Sequence, residues 1–496
     1  MPTHHLACDL GAESGRLMLG TIADGRLALE ELHRFPNRVT RVGGSLHWDI
    51  PGLFAELKIG LRKAAHLKRD IASISTDSWG VDYVLLDADG EVMPPAFHYR
   101  DPRTAQGIKR VQGTMSWHEI FAETGIQFMP LNTLYQLAAE EPGRLRNASQ
   151  ILMIADAFNF WLSGTSRMEE SNASTTQLYN PQARQWSGKL LRALDLPEKL
   201  LPQIVSSGTR LGTLTPELRR DTGLGEIAVI AGCSHDTAAA VAAVPAHGEN
   251  WAYLSSGTWS LLGVEFSKPL LTEACRELNF TNEVGFGGTI RLLKNISGLW
   301  IVQECRREWA QDGEEYDYAT LTRLASEAPP FVSLIHPDDP RFLAPASMTG
   351  AIAAFCRESN QPVPVAPGAF IRCALESLAL LYRRTVLELQ QLTGRHIERL
   401  HIVGGGSRNP LLNQFAANAT QLAVLAGPVE ATAAGNVMVQ AIALGEVASL
   451  TAARAIVAAS LPIEPVQPRD RAAWERAFSR FETLARIAQT PRADVP

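Results

Sequence analysis

Residues 227–265 constrain the fold of this chain more than any other stretch, because they combine two different local structures. The apolar run at 227–230 leads through a short polar segment into an alanine-rich helix, with Asp236 at the predicted N-cap. A β-hairpin pattern follows, and its turn at 255–258 (SSGT) has small residues whose backbone N–H groups can close on an anion. An acid at a helix start, followed by an anion-holding turn, predicts phosphoryl transfer.

A second pattern of strand, glycine turn and strand opens the chain, with GAESGR as its turn. Asp9, at the end of the first strand, suits a Mg²⁺ ion held through water, since Mg²⁺ keeps most of its hydration shell. Arg16 is either a phosphate ligand or a surface charge, whereas the carboxylate of Glu13 must point away from a triphosphate or lie on the metal. Two such hairpins indicate two related halves that hold a triphosphate from both sides.

Length and composition limit the class of protein. A chain of 496 residues calls for two or more domains, because single cores stop growing at about 250–300 residues. The net charge is −6, so the chain has no excess of basic residues for binding nucleic acid, and we expect no nucleic-acid partner. No apolar run approaches the roughly 18 residues that span a bilayer, and no signal peptide precedes the first strand, so we expect no membrane partner and a cytoplasmic location. The six scattered cysteines are expected to be free thiols in a reducing compartment.

Strands alternate with helices along the first half, which predicts an α/β domain. A strand at 27–35 precedes a helix that begins at Ile50 with Asp49 as its cap, and a strand at 72–77 follows. Residues 83–90 are predicted to complete a hairpin, and 151–154 are predicted to form another strand, ending in Asp156.

The second half repeats the alternation. A buried strand at 400–403 ends in three glycines, which let a backbone approach a ligand closely, and a helix follows with Asn409 as its cap and Pro410 in its first turn. Gly435, inside a later helix, predicts close packing against a neighbour. The pattern at 473–484 predicts a last helix.

A polyol site is predicted around residues 97–104, where groups of both charges, including Arg100, stand beside aromatic rings. The alternative is an ordinary salt-bridged loop. Trp79 is suited to lie against the apolar face of a sugar. The chain has neither a Walker-type phosphate loop nor the protein-kinase motifs, so a triphosphate must be held by hairpin backbones, hydroxyls and Mg²⁺.

Eight stretches resemble the sugar kinases of the glycerol kinase and xylulokinase type, in the expected order and over roughly residues 5–450. They are DLGAESGR (9–16), TDSWGVDYVLLDADG (76–90), HYRDPRT (98–104), TGIQFMPLNTLYQL (124–137), SHDTAAAV (234–241), YLSSGTWSLLG (253–263), NISGLWIVQECRR (295–307) and LHIVGGGSRNPLLNQ (400–414).

The resemblance implies an α/β fold with two actin-like (ribonuclease H-like) ATPase domains and an interdomain cleft. The implied ranges are a sugar-binding domain at 1–245, a nucleotide-binding domain at 246–450, and C-terminal helices and a frayed tail at 451–496 that return to the first domain. Binding of a ketose is expected to draw the two domains together.

The resemblance also implies roles for particular residues. Asp236 becomes the catalytic base, and Asp9 and Asp236 become the expected Mg²⁺ ligands. The sugar contacts, including those of the predicted polyol site, are expected at Trp79, Gly80, Asp82, Arg100, His235, Asp236, Thr237 and Asn295. The ATP contacts are expected at Ala12, Glu13, Ser14, Gly15, Arg16, Thr258, Gln303 and Gly405. Arg408, where the family pattern predicts another residue, is expected to alter the adenine pocket.

Two alternatives remain open at this point. The chain could phosphorylate another ketose, such as xylulose or fuculose, in the same reaction class, since residues 77–82, 98–104 and 130–133 do not reveal hydroxyl stereochemistry. It could also be an actin-like scaffold or a sugar-sensing regulator without catalysis, although no DNA-binding helix pair or assembly surface is evident. The expected partners are a small sugar and ATP, and the expected state is a monomer or a weak homodimer.

Overall fold

The computed structural model describes residues 2–489, and they group into two compact units. The first unit runs from the start of the described chain to Pro245 and also contains Glu265–Leu293 and Glu430–Leu461. The second unit contains Ala246–Val264, Lys294–Val429 and the described residues from Pro462 onwards. Each unit is described by itself below.

A six-stranded sheet forms the centre of the first unit. Its strands lie in the order Thr209–Thr213, Ala228–Ala231, Ile71–Ser78, Thr3–Leu10, Ser14–Ala23 and Arg26–Pro36. The last three strands form an antiparallel meander, whereas Thr3–Leu10 pairs in parallel with Ile71–Ser78. The predicted strand, glycine turn and strand at the start of the chain is therefore confirmed.

The first unit also contains shorter strands and helices. Its smaller sheets are formed by the strands Val39–Val42, Ser45–Trp48, Tyr83–Leu86, Ala96–Phe97, Gln150–Met153, Met168–Glu169, Tyr179–Asn180, Gln185–Trp186 and Ile204–Val205, while Thr281–Val284 pairs antiparallel with Ile290–Ser297. The helices are Ile50–His66, Thr104–Gln112, Trp117–Thr124, Thr133–Ala138, Pro142–Asn147, Ile154–Ser163, Glu170–Thr175, Gly188–Ala193, Pro216–Thr222, Asp236–Ala242, Glu273–Glu277, Ala431–Ala443 and Leu450–Ser460, with 3₁₀ turns at Glu198–Leu200 and Phe286–Gly288.

The sheet of the second unit repeats the same pairing pattern. Trp251–Ser256 pairs antiparallel with Trp259–Phe266 on one side and in parallel with Arg399–Val403 on the other. Ala423–Ala426 and Glu464–Val466 extend the sheet beyond Arg399–Val403. A central strand with a hairpin partner and a parallel partner thus occurs in both units, as the repeated sequence pattern predicts.

The helices of the second unit are Trp300–Gln311, Tyr318–Glu327, Met348–Glu358, Pro367–Thr393, Pro410–Thr420 and Arg471–Gln489, with 3₁₀ turns at Pro340–Phe342 and Gly405–Arg408. The strand Ile290–Ser297 crosses from the first unit into the second. No helix in the described range is both long and apolar enough to span a bilayer.

The structure confirms two helix N-caps that the sequence predicts, Asp49 and Asn409. Asp49 accepts a hydrogen bond from the backbone N–H of Gly52 at 3.0 Å and caps the helix Ile50–His66. Asn409 accepts from the N–H groups of Leu411 and Leu412 at 3.1 and 3.0 Å. A side-chain oxygen that meets free N–H groups at a helix start is a short-range interaction, which is why the sequence predicts it.

The predicted hairpin at 83–90 is only partly formed. The turn exists, since the N–H of Gly90 donates to the carbonyl oxygen of Asp87 at 3.2 Å. The strand Tyr83–Leu86, however, pairs with Gln150–Met153, and only an isolated bridge joins Leu86 to Val92. Asp156 accordingly lies in the helix Ile154–Ser163 rather than at a strand end.

The compact units differ from the contiguous ranges that the sequence suggested. Residues 265–293 and 430–461 belong to the first unit, where Asn282 binds the backbone of Gly125 and the helix Ala431–Ala443 packs on Asp236–Ala242. The helix Arg471–Gln489, expected against the first domain, packs within the second unit, where the Trp474 ring centroid lies 4.9 Å from that of Phe331. The expected tail at 491–496 lies outside the described residues.

Candidate active site

Asp236 stands where the strand Ala228–Ala231 has turned into the helix Asp236–Ala242. The N-cap is His235, so Asp236 is the first helical residue and not the cap that the sequence suggested. Its Oδ1 accepts from the backbone N–H of Thr237 at 2.5 Å and from the Thr237 hydroxyl at 3.1 Å. Within the described chain no protein group donates to Oδ2, and the side chain is 31% exposed. One carboxylate oxygen is therefore anchored and the other is accessible.

The charge environment of Asp236 favours its use as a base. Burial raises the pKa of Asp236, the negative charge of Asp9 adds to that shift, and His235 opposes it. A carboxylate with a raised pKa is a better proton acceptor than an ordinary surface carboxylate.

Asp77 is an acidic residue that the sequence reasoning missed. Asp77 and Asp9 are register partners on neighbouring parallel strands, so their side chains lie on the same face of the sheet. Asp77 is fully buried, and its Oδ2 accepts from Nδ2 of Asn436 at 2.5 Å, whereas its Oδ1 has no hydrogen-bond partner in the described protein. Burial, together with the charges of Asp9 and Asp236, raises the pKa of Asp77. An aspartate near the end of a predicted strand, as at Asp9, is the signal that could have identified it.

Arg16 is neither a free surface charge nor an isolated phosphate ligand in this structure. Its guanidinium donates to both Asp9 and Glu430. These two carboxylates raise the pKa of Arg16 against the opposing effect of burial. Arg16 therefore fixes the carboxylate of Asp9 at the end of its strand.

The turn before Arg16 has the shape that the sequence predicts. The side chain of Glu13 is exposed, and its carbonyl oxygen accepts from the N–H of Asn37 at 2.9 Å. Ala12 and Ser14 are half-buried. A Cβ on Gly15 would lie 2.2 Å from the ring of Phe35, so only glycine fits there.

The residues present fit a hydrated Mg²⁺ ion. Asp9 and Asp236 supply carboxylate oxygens, the ligand type that this ion prefers. No group of three or more histidine, cysteine, aspartate or glutamate side chains forms a metal cage in the described part of the chain. Two carboxylates, with water and phosphate oxygens in the remaining positions, are the usual protein environment of Mg²⁺. The unpartnered Oδ1 of Asp77, the register partner of Asp9, is a hydrogen-bond acceptor on the same face of the sheet and is not counted as a metal ligand.

Asp82 organises the predicted sugar-binding wall. Its Oδ2 accepts from the indole N–H of Trp48 at 2.6 Å, the indole N–H of Trp79 at 3.0 Å and the backbone N–H of Tyr99 at 3.2 Å. Its Oδ1 accepts from Nε2 of Gln136 at 2.9 Å. Burial raises the pKa of Asp82 to about 6, and these four donors oppose the shift. Both oxygens are thus committed to protein donors, and Asp82 fixes the positions of the rings.

Trp48 is the second residue that the sequence reasoning missed. Its ring centroid lies 4.5 Å from that of Trp79 and 4.2 Å from that of His98. Arg100 is half-buried, with its guanidinium carbon 5.5 Å from the centre of the Tyr99 ring. The predicted polyol segment is therefore continuous with an aromatic cluster.

The backbone beside this wall is tightly constrained. A Cβ on Gly80 would lie 3.1 Å from the Thr175 side chain. The next residue, Val81, has φ +68°, which is costly for a β-branched residue, and its N–H donates to the Thr175 hydroxyl at 3.1 Å. Strain of this kind is concentrated at binding sites. His235 and Thr237, the other predicted sugar contacts of the first unit, are buried beside Asp236.

In the second unit, the turn that is predicted to bind an anion is joined to a helix start. The carbonyl oxygens of Gly257 and Thr258 accept from the N–H groups of Leu299 and Trp300 at 2.9 and 3.1 Å. The helix Trp300–Gln311 carries Gln303, whose Oε1 is buried without a hydrogen-bond partner in the described chain. Thr258 and Gln303 therefore belong to one local assembly, while Asn295 lies on the preceding strand.

The three glycines after Val403 have different roles. Gly404 has φ +84°, and a Cβ on Gly406 would lie 2.0 Å from the Ser256 hydroxyl, so conformation and space require these two glycines. Gly405 is exposed, and nothing lies within 4 Å of an added Cβ. Its open face is the one available to a ligand. Arg408 is also exposed.

Two mixed α/β units with these acidic and glycine-rich turns define a sugar kinase of the actin-like ATPase class. Residues 5–243 match the N-terminal domain of the FGGY family of carbohydrate kinases, and residues 252–444 match the C-terminal domain of that family. The chain belongs to the FGGY family of carbohydrate kinases, which use ATP. This result confirms the resemblance drawn from the sequence motifs.

Named relatives support the same assignment over almost the whole chain. The chain is 46% identical to a rhamnulokinase of Bacteroides thetaiotaomicron over 98% of this chain and 100% of that protein. It is 43% identical to a rhamnulokinase of Enterococcus faecalis over 93% of this chain and 94% of that protein. A ligand-bound xylulose kinase from Lactobacillus acidophilus has the same fold, with a TM-score of 0.81 at 16% identity over 98% of this chain and 99% of that one.

The contact between the anion-binding turn and its helix leads to a prediction. A Cβ on Gly298 would lie 2.5 Å from the carbonyl carbon of Trp259 and 2.7 Å from the carbonyl oxygen of Thr258. We expect Gly298→Ala to shift the turn and weaken ATP binding by about tenfold or more, because ångström-scale displacements are costly in preorganised sites. Calorimetric titration with MgATP measures this change.

The matched control for that variant is Gly143→Ala, where the nearest atom to the new Cβ lies 3.9 Å away. It should leave the ATP affinity unchanged. Equal ATP affinity in the Gly298→Ala protein and in the unmodified protein would remove this turn from the ATP site.

Proposed function

We propose that this protein transfers the γ-phosphoryl group of ATP to the 1-hydroxyl of L-rhamnulose, giving L-rhamnulose 1-phosphate and ADP in the breakdown of rhamnose. The geometry of Asp236 carries the reaction type, since one oxygen is anchored by Thr237 and the other is accessible beside Asp9. The substrate rests on the nearly full-length likeness to proteins named rhamnulokinase. The residues in the sequence motifs also resemble those of rhamnulokinases, which favours the same substrate.

In the proposed reaction, Oδ2 of Asp236 takes the proton of the sugar 1-hydroxyl. The sugar oxygen forms a bond to the γ-phosphorus, the bond from that phosphorus to the bridging oxygen breaks, and ADP leaves with the electron pair. Proton transfer to a placed carboxylate contributes about 10²–10⁴-fold, and positioning and charge neutralisation supply most of the remaining acceleration. Mg²⁺, when bound at Asp9 and Asp236, would neutralise phosphate charge.

The other site residues are assigned to ligands as follows. In the first unit, Trp79, Gly80, Arg100, His235 and Thr237 face the sugar, and Asp82 acts by fixing the Trp79 ring. The 12–16 turn contacts phosphate through its backbone. In the second unit, Thr258, Gln303 and Gly405 contact the nucleotide and Asn295 contacts the sugar. The unpartnered Oε1 of Gln303 and the open face of Gly405 support the nucleotide assignment.

We also propose that the enzyme works in the cytoplasm as a monomer or a weak homodimer. All six cysteines, which lie in the described range, are free, as is usual in a reducing compartment. Light scattering across a range of protein concentrations tests the oligomeric state.

The substrate assignment is tested by ADP release from MgATP with L-rhamnulose, L-fuculose, D-xylulose, L-xylulose, L-ribulose and glycerol. We expect kcat/KM to be highest for L-rhamnulose. A preference for L-fuculose or a xylulose would keep the mechanism and change the substrate. A folded protein that binds ATP but releases no ADP with any sugar would favour a non-catalytic sugar sensor.

A further inference from the structure

A buried ion pair on a β-hairpin of the first unit reaches the residue next to Asp236. Glu283, on Thr281–Val284, and Arg291, on Ile290–Ser297, are register partners across the hairpin. Nη2 of Arg291 lies 3.1 Å from Glu283 Oε2 and also 3.1 Å from Nδ1 of His235. Arg291 is 0% exposed and is the largest side chain that the described chain buries completely.

The distance between Arg291 and His235 determines which ring nitrogen carries the proton. An arginine guanidinium is always charged in proteins and has only donors, so Nδ1 of His235 must accept. A neutral imidazole that accepts at Nδ1 carries its proton on Nε2. Nε2 lies 3.4 Å from Oδ1 of Asp236, so a proton on Nε2 is within electrostatic reach of the carboxylate.

Neighbouring groups hold this arrangement in place. Nε and Nη2 of Arg291 both donate to the carbonyl oxygen of Val284 at 3.2 Å, which prevents the guanidinium from turning away from His235. The backbone N–H of His235 donates to the Ser171 hydroxyl at 3.1 Å. Glu283 Oε2 lies 3.4 Å from Nδ1, but a proton on Nδ1 would face the Arg291 N–H directly. The carboxylate therefore balances the charge of Arg291.

Packing alone does not explain a charged pair at this position. Removing two charges from water is energetically costly, and apolar residues of similar volume often replace such pairs without loss of stability. A buried pair that ends on the neighbour of the proposed base has a positional use instead, because the hydrogen bonds of Arg291 to Val284 and His235 fix one geometry of the guanidinium.

We propose that Arg291, supported by Glu283, is a positioning residue that acts on Asp236 through His235. It keeps the imidazole in the Nε2–H tautomer, so the positive end of that N–H dipole lies beside Oδ1, which the two donors of Thr237 already anchor. Oδ2 is then the oxygen that receives the proton of the sugar hydroxyl. The catalytic part of this proposal rests on the proposed function, whereas the tautomer does not.

The tautomer is measured directly on the unmodified protein. Long-range ¹⁵N–¹H spectra of protein with labelled histidine distinguish Nε2–H from Nδ1–H rings, and the His235→Gln protein identifies the signal. We expect His235 to show the Nε2–H pattern at a pH where the ring is neutral. An Nδ1–H pattern would overturn the proposal. Because no turnover is measured, this result stands even if the proposed reaction is wrong.

Kinetics then test the positional role. We expect Arg291→Met to lower kcat by about ten- to a hundredfold, the scale of loss when a reacting group is misplaced, and to change the KM for ATP by less than about twofold. It should also make the His235 signal a mixture of tautomers. Arg291→Lys, which keeps a charged donor, should recover part of both losses.

The matched control is Arg372→Met, which removes a half-buried arginine that pairs with the buried Glu376 at 2.7 Å in the second unit. It should leave kcat and the His235 spectrum unchanged. Unaltered kcat and an unaltered tautomer in a folded Arg291→Met protein would overturn the proposal. If the Arg291→Met protein does not fold, the spectrum of the unmodified protein and the kinetics of Arg291→Lys decide the question. An Nδ1–H ring in the unmodified protein would count against the proposal. So would a kcat of the Arg291→Lys protein equal to that of the Arg372→Met control.

Discussion

Replacing Asp236 with asparagine should lower kcat a hundredfold or more while ATP affinity stays roughly unchanged. Asparagine keeps the shape of the side chain and an oxygen for the N–H of Thr237, but it cannot take a proton from the sugar hydroxyl. A loss confined to kcat is the expected signature of an interaction made only in the transition state. Steady-state ADP release with saturating sugar, together with calorimetric ATP binding, measures both quantities.

The control for this experiment is Asp221→Asn. Asp221 is a partly exposed carboxylate that pairs with Lys58 and Arg62. Since surface ion pairs contribute little, its loss should change neither kcat nor ATP affinity measurably. Near-normal turnover in the Asp236→Asn protein would remove Asp236 from the proposed mechanism.

The second large effect is expected from Gly435→Ala. Gly435 lies on Ala431–Ala443, and an added Cβ would be 1.7 Å from the carbonyl oxygen of Ala239 and 2.6 Å from its carbonyl carbon. Both atoms belong to the backbone of the helix that begins with Asp236, so no side chain can turn aside. We expect a destabilisation of about 3 kcal/mol, at the upper end of ordinary overpacking, and a fall in kcat because that helix must shift.

Chemical unfolding followed by tryptophan fluorescence measures the stability change, and ADP release measures the activity. Gly113→Ala is the matched control, since Gly113 also belongs to the first unit and the nearest atom to its added Cβ lies 3.5 Å away. Its effect should remain within about 0.5 kcal/mol, as for most surface substitutions. A Gly435→Ala protein as stable and active as this control would show that the two helices can separate without loss.

The sequence by itself determined the local structures of this protein. Strand and turn patterns around 9–16 and 251–264, and the caps at Asp49 and Asn409, depend on residues within a few positions of each other. Asp236 could be identified because an acid at a helix start is a local signal, even though its position was misjudged by one residue. Close packing at Gly435 was also foreseen, although the sequence did not identify the partner helix.

Only the tertiary structure decided which of these elements meet. Tyr83–Leu86 pairs with a strand more than 60 residues away, and Asp77 acquires Asn436 as its partner from the other end of the unit. Asp82 is a predicted sugar contact, and the structure adds that four donors, among them Trp48 and Gln136 from distant segments, occupy its oxygens. Arg291 gave no signal in the sequence, because its role depends on the distance to His235 across a fold. Contacts of this kind depend on strand register and helix packing, which local propensities do not encode.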